Sequence, residues 1–486
     1  MKGVRIKLFA KDILYYGLGN MLYSLVQFIS MPLIVKSMDK AQVANWNILL
    51  PTGVLLSAIV TFGMDSAVVR YVKDAQSEKE RKIIFSTGFI FETSLAILLA
   101  LSMWLLASQW LPVVKVSGNY ISSWWVLAAW LPSVIIAQYF QNWFKYNFQR
   151  SLFLSLILVQ SLVYLAGILL LKLTGQVSLL NVMIVMLASQ LLVAIVGFYF
   201  CRHLLVPAVN TKLLGRLLLY GIPFMALAFG YNFIGSVDRY LLAGNVSDEY
   251  FAVYTQAFRI SAIISMVVSS FNFAFGPFLL SLLGRQEAPA TLSRFHTYYL
   301  MAMCVAGLCF LALARVIITL LAGYDYTGGQ SFMLFFVTGY IFYGMYSFAQ
   351  AGIIHSRKSY LGLFALAGGL VTVFLVDLLS VSRYEGMGTA AGFMLANIVM
   401  VVLAATFSAK YVPVRYQFYK DLALLSVFFG GGFLMLKYTL SSNMFVDSGI
   451  KLLLVTGISG SLLYVLLSGS DRGAIRSLLW GRKISG

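Results

Sequence analysis

The stretch YGIPFMALAFGYNFIGSVDRYLLAG at residues 220–244 sets the problem of this chain. It is apolar for long enough to cross a lipid bilayer, yet Asp238 and Arg239 stand side by side near its end. Such a segment needs about 20 consecutive apolar residues, and an ionisable group inside it is costly and needs a reason. The rest of the chain reads the same way. Its 486 residues are 60% hydrophobic and 11% charged, with a mean hydropathy of +0.87. Soluble domains carry about 25% charged residues, so this composition cannot build a water-facing surface. The apolar runs are continuous instead of alternating, which argues against a membrane β-barrel. In lipid, helices satisfy their own backbone hydrogen bonds, so the expected class is an all-α polytopic membrane protein.

Fourteen apolar spans are expected, near 13–36, 45–69, 83–108, 121–144, 152–172, 178–200, 217–243, 251–280, 296–322, 330–354, 361–380, 388–409, 421–440 and 450–468. The net charge of +18 is explained by topology. With the N-terminus in the cytoplasm, the cytoplasmic segments hold 25 Lys and Arg against seven on the other side. That bias predicts an even number of spans with both termini cytoplasmic. No basic run with interleaved aromatics forms a nucleic-acid patch, so no nucleic-acid partner is expected. The basic N-terminus leads into an apolar run too long for a cleaved signal, and reads as a retained first helix. Cys201, Cys304 and Cys309 have no metal-like spacing and read as packing residues. The polar segment CRHLLVPAVNTKLLGR divides the chain. The expected organisation is an N-terminal six-helix bundle (1–200), a cytoplasmic linker (201–216), a C-terminal six-helix bundle (217–409), then two extra helices and a tail (410–486). A short echo, YYGLGN at 15–20 against LYGIPF at 219–224, crosses that divide. Repeat-built transporters hold their substrate between two such halves.

Six ionisable residues fall within spans: Glu92, Asp238, Arg239, Arg259, Arg315 and Asp377. Asp238 and Arg239 read either as a structural pair at the headgroups or as part of a site. Arg259 lies about 12 Å of helix rise into its span, too deep to reach bulk water easily. It therefore reads as facing a hydrated cavity, with a buried pair to Asp238 as the alternative. Arg315 is closer to its span's end and can snorkel. Tyr16, Asn20, Tyr23 and Gln27 are spaced 4, 3 and 4 apart and share one face of the first helix. That face serves either interhelical hydrogen bonding or the wall of a hydrated cavity. Glu92, in mid-span, reads either as a carrier of H⁺ or Na⁺ or as a structural hydrogen-bonded group; Asp377 is a second ion-coupling candidate. Nothing resembles a catalytic or nucleotide-binding motif, so no enzyme, metal or cofactor is expected.

The stretch YGIPFMALAFGYNFIGSVDRYLLAGNVSDEYFAVYTQAFRISAII (220–264) resembles the middle signature of Wzx-type polysaccharide flippases. These belong to the multidrug/oligosaccharidyl-lipid/polysaccharide (MOP) exporter superfamily. The matching residues are Tyr220, Gly221 and Pro223 at a helix start, then Asp238, Arg239 and Tyr240, then Tyr254 and Ala257. GMDSAVVRY (63–71) and FNFAFGPFLL (271–280) are similar to two further helix endings of the family. The resemblance implies two six-helix bundles around a central cavity plus two C-terminal helices. It implies a lipid-linked oligosaccharide cargo on undecaprenyl diphosphate, moved to the outer leaflet of the bacterial inner membrane. The partners implied are membrane lipids, a polysaccharide polymerase and chain-length machinery. Arg259, Arg239, Asp238, Arg315, Asn20, Tyr23 and Gln27 are the expected substrate contacts. The competing readings are a cation-coupled multidrug exporter, a peptidoglycan-precursor flippase and a non-transporting scaffold.

Overall fold

A computed structural model describes residues 22–147, 149–356, 358 and 360–466. The described chain is helical throughout, with one isolated bridge between Ala243 and Val246. In order the helices are α1 (Leu22–Val35), α2 (Lys40–Thr61), α3 (Met64–Asp74), α4 (Glu78–Leu105), α5 (Ala107–Val114), α6 (Ile121–Tyr146), α7 (Arg150–Leu173) and α8 (Leu179–Cys201). There follow α9 (Thr211–Ile234), α10 (Val237–Leu242), α11 (Asp248–Leu282), α12 (Ala288–Ala312), α13 (Ala314–Leu321), α14 (Gln330–Ala349), α15 (Ala351–Ser356), α16 (Tyr360–Ala409), α17 (Phe418–Lys437) and α18 (Met444–Leu466). Eleven described helices are long and apolar enough to cross a membrane. One of them, α16, holds two expected spans on either side of Glu385, which leaves helical geometry at φ 46°. With α1 and α18 at the positions of the first and last spans, the fourteen-span layout is recovered.

Local chemistry sets the boundaries. Asp39 caps α2 by accepting from the Gln42 N–H (2.7 Å). At α4, Ser77 accepts from the Glu80 N–H while the Glu80 carboxylate accepts from the Gln76 N–H, satisfying donors left free at a helix start. Asn210 caps α9 in the same way, so α9 begins at Thr211. Tyr220–Pro223 therefore lies inside this helix, not at its start as the resemblance implied. The expected seventh span is also broken. α9 ends at Ile234, and Ser236, whose hydroxyl turns back onto the Asn232 carbonyl (2.6 Å), opens the separate short helix α10.

In the first bundle α6 packs against α2, α4, α7 and α8, and in the second α14 packs against α11, α12 and α16. Helices α17 and α18 lie outside the second bundle, against α12. The bundles meet along α2, which is about 33 Å long by its 22 residues. From its start past its middle, Lys40 pairs with Glu249 (3.3 Å), Asn47 donates to Thr255 (2.9 Å), and Thr52 bonds Tyr240 (2.9 Å). At its other end the chain turns through Phe62 and Gly63, both with positive φ, and presses against Gly221 of α9. A Cβ on either glycine would run into the facing backbone, so this crossing admits only glycine on both sides.

Candidate functional site

Helix α11 carries the polar residues of the seam between the bundles. Its interior position would normally be apolar, yet Tyr254, Thr255, Gln256, Arg259 and Ser261 follow within two turns. The Arg259 guanidinium lies over the Trp46 ring of α2, 4.0 Å from its centroid. Its Nη1 is buried with no hydrogen-bond partner, as are both amide atoms of Gln256. Arg259 does not pair with Asp238, so the buried-pair alternative is not what the fold adopts. Tyr164 of α7 lies close enough to interact electrostatically with the guanidinium. Tyr164 also meets the Tyr23 ring edge-on at 6.5 Å, and Tyr23 is within hydrogen-bonding reach of Gln27, Gln160 and Gln190. Gln160 in turn accepts from Gln141 (3.0 Å). A polar path thus runs from α1 through α7 to α11. Asn20 and Tyr16 lie outside the described residues.

Asp238 and Arg239 are 1% and 9% exposed, so both side chains are enclosed by protein. The reason is the break before α10, which turns both side chains inward. Neither do they pair with each other among the described residues. Asp238 accepts from the Tyr254 hydroxyl (2.6 Å) and from the Arg239 backbone N–H (2.8 Å), while the Arg239 guanidinium lies 4.4 Å over Phe258. Tyr254 also accepts from Thr389 (3.1 Å). Asp377 of α16, fully buried, lies near enough to Asp238 and Tyr254 to act on them electrostatically. Both of its carboxyl oxygens lack a partner, and it packs against Gly392. Two residues that looked unrelated in sequence, one read as a substrate contact and one as an ion carrier, are brought into a single cluster.

Glu92 of α4 is 3% exposed, with Oε1 unpartnered. It faces a cavity of about 20 Å³ that Asp65, Gln138, Tyr139 and Asn142 also line, room for about one water molecule. Arg315 is not in a continuous span. The helix breaks at Leu313, and Arg315 on α13 lines a separate 730 Å³ pocket with Thr327, Gln330, Thr439 and Ser441. The fold does not join Arg315 to the Arg259 cluster.

Sequence reasoning missed Trp46, Tyr164, Gln160, Gln190 and Thr389. Gln160 and Gln190 carried a usable signal, since an amide within an apolar run needs a partner. Trp46 and Tyr164 carried none, because aromatic residues are ordinary in spans. The described residues include no group of three or more His, Cys, Asp or Glu that could hold a metal ion.

A protein family described as "Polysaccharide biosynthesis protein" matches residues 9–282. No curated protein matches by sequence. Among solved structures, the lipid II flippase MurJ in an inward closed conformation is 14% identical, with a TM-score of 0.72 over 91% of this chain and 99% of that one. An inward-facing multidrug resistance MATE family transporter of the MOP superfamily is 14% identical, with a TM-score of 0.61 over 83% and 95%. A MOP superfamily transporter from Pyrococcus furiosus, titled for the reverse polarity of its binding pocket, is 15% identical, with a TM-score of 0.58 over 83% and 96%. At these identities the likeness establishes the fold.

Proposed function

Because this chain belongs to the polysaccharide biosynthesis protein family, and its fold is that of the MOP superfamily structures, we propose that it is a flippase for an undecaprenyl diphosphate-linked oligosaccharide. It moves this cargo from the inner to the outer leaflet of the bacterial inner membrane by alternating access, with both termini cytoplasmic and no covalent catalysis. A polysaccharide polymerase and its chain-length machinery are the partners that would receive the product.

The observation that carries this reading is Arg259. A buried guanidinium nitrogen without an acceptor is costly in a low-dielectric interior, and Trp46 offsets only part of that cost through its ring face. A diphosphate supplies what is lacking, since guanidinium forks bind phosphate oxygens in pairs. The polar path through Tyr164, Tyr23 and Gln27 adds neutral donors beside the charge. Transport needs a driving ion, and the buried carboxyls offer two places for one. Asp377, next to Asp238, and Glu92, beside its small cavity, are acids with unpartnered oxygens and no cation in contact among the described residues. H⁺ or Na⁺ held there, and released when the bundles rearrange, would couple the two movements.

A deletion strain complemented with variants tests this. Deletion is expected to accumulate lipid-linked glycan in the inner leaflet, and wild type to clear it. Arg259→Lys keeps the charge but loses the paired geometry, so clearance is expected to fall about tenfold or more at normal membrane abundance. Normal clearance by Arg259→Lys and Arg259→Ala would remove the diphosphate role. The uncompensated carboxyls favour one competitor, a cation-coupled drug exporter. In that case deletion would change tolerance to cationic drugs and leave lipid-linked glycan undisturbed.

A further inference from the structure

A cleft of about 850 Å³ opens between α9, α11 and α14, away from every group discussed so far. Its wall is mostly hydrocarbon, but three tyrosines and two amides converge on it: Tyr231, Tyr343, Tyr346, Asn272 and Gln350. The tyrosines meet edge to face, with Tyr231 at 5.9 Å from Tyr343 and 6.3 Å from Tyr346. The Asn272 carbonyl oxygen accepts from the Ser347 hydroxyl (2.7 Å), which fixes the amide. Among the described residues, its Nδ2 then has no partner, and neither does the Gln350 side chain. No charged residue lines the cleft.

We propose that this cleft is a subsite for uncharged sugar rings of the cargo, distinct from the anion site at Arg259. The chemistry matches on both counts. Sugar rings present C–H faces that pack on aromatic and apolar walls, and hydroxyl or acetamido groups that pair with fixed amides. An anion would find no cation here, and a purely hydrocarbon chain would leave the amides unpaired in an apolar wall. The size lies within the range of small-molecule sites. Asn272 and Arg259 sit on the same helix, 13 residues apart, which is about 20 Å of rise and about 140° of rotation. A cargo with its diphosphate at Arg259 therefore has to bend round α11 to place its rings at Asn272. Gly276, on the cleft wall, leaves the helix backbone open to the ligand, since a Cβ there meets nothing within 4 Å.

This inference rests on the lipid-linked oligosaccharide reading, and the test separates the two. The purified full chain in nanodiscs is titrated with undecaprenyl diphosphate, bare or carrying one N-acetylglucosamine, and binding is followed by native mass spectrometry. Wild type is expected to bind the sugar-bearing lipid about tenfold more tightly, equivalent to about 1.4 kcal/mol. Gly276→Leu projects a side chain into the cleft from a position where its Cβ is clear of every neighbour within 4 Å, and Asn272→Ala removes the free amide. Each is expected to abolish that preference while leaving the affinity for bare lipid unchanged. Arg259→Ala is expected to weaken both lipids alike. Equal binding of both lipids by wild type, or a preference that survives Gly276→Leu, overturns the subsite but not the flippase. Equal loss of both lipids in Gly276→Leu assigns the cleft to the isoprenoid chain and also overturns it. Failure of wild type to bind either lipid overturns the parent reading and the subsite together.

Discussion

Tyr254 shows how much one hydroxyl can hold in a water-poor interior. It donates to Asp238 and accepts from Thr389, while its ring packs edge-on against Phe332 and Phe336. Tyr254→Phe keeps that packing and removes only the hydroxyl. Asp238 then loses its side-chain donor, and an unsatisfied buried polar group costs about 1–3 kcal/mol. The purified variant is expected to unfold at a lower temperature than wild type in the same detergent; an unchanged midpoint would mean that water or another group satisfies Asp238. At this scale the sequence was informative about cost and silent about partners. It marked Glu92, Asp238, Arg259 and Asp377 as expensive to bury; the three acids are buried and Arg259 is half-buried. It could not say that Asp238 turns to Tyr254 instead of Arg239, since that depends on how α10 is aimed.

Among elements, the junction of α2 and α3 carries the most pointed consequence. Phe62 and Gly63 both adopt left-handed geometry, and the resulting turn lies directly on Gly221 of α9. The neighbouring rings of Tyr71 and Tyr220 meet edge-on at 6.2 Å. This is contact between the first and second bundles at one end of α2, while Asn47–Thr255 and Lys40–Glu249 join them at the other. Gly221→Val places a branched side chain against the Phe62 carbonyl, so that end should be forced apart. In a chain lacking its native cysteines, Tyr71→Cys with Tyr220→Cys is expected to cross-link readily with a short bifunctional reagent. Adding Gly221→Val is expected to suppress the cross-link; undiminished yield would show that the junction can yield around the valine. The break between α9 and α10 belongs to the same scale. Hydropathy ran straight across it, because Gly235 and Ser236 do not interrupt an apolar average.

For the whole molecule, the distribution of Lys and Arg makes a prediction about sides. Asn119 and Asn245 are expected to label from outside, and Ser77 and Lys410 from the cytoplasm. The fold agrees on the grouping of the first three. The backbone N–H of Ser117 donates to Asn45 (3.1 Å), and Glu249 pairs with Lys40, so Asn119 and Asn245 lie by the start of α2. Ser77 follows the other end of that helix. Cysteine labelling in intact cells and inverted vesicles decides it, and labelling of Asn245 from the cytoplasmic side alone would reverse the topology. Composition and run length by themselves determined the class, the number of spans and the loops between them, because the cost of burying backbone and charge in lipid is additive along the chain. What they could not reach was convergence. Arg259 with Trp46, Asp238 with Asp377, and the tyrosine–amide cleft each join residues from helices far apart in sequence. Such contacts depend on helix rotation and on breaks at single residues, and only the packed structure decides those.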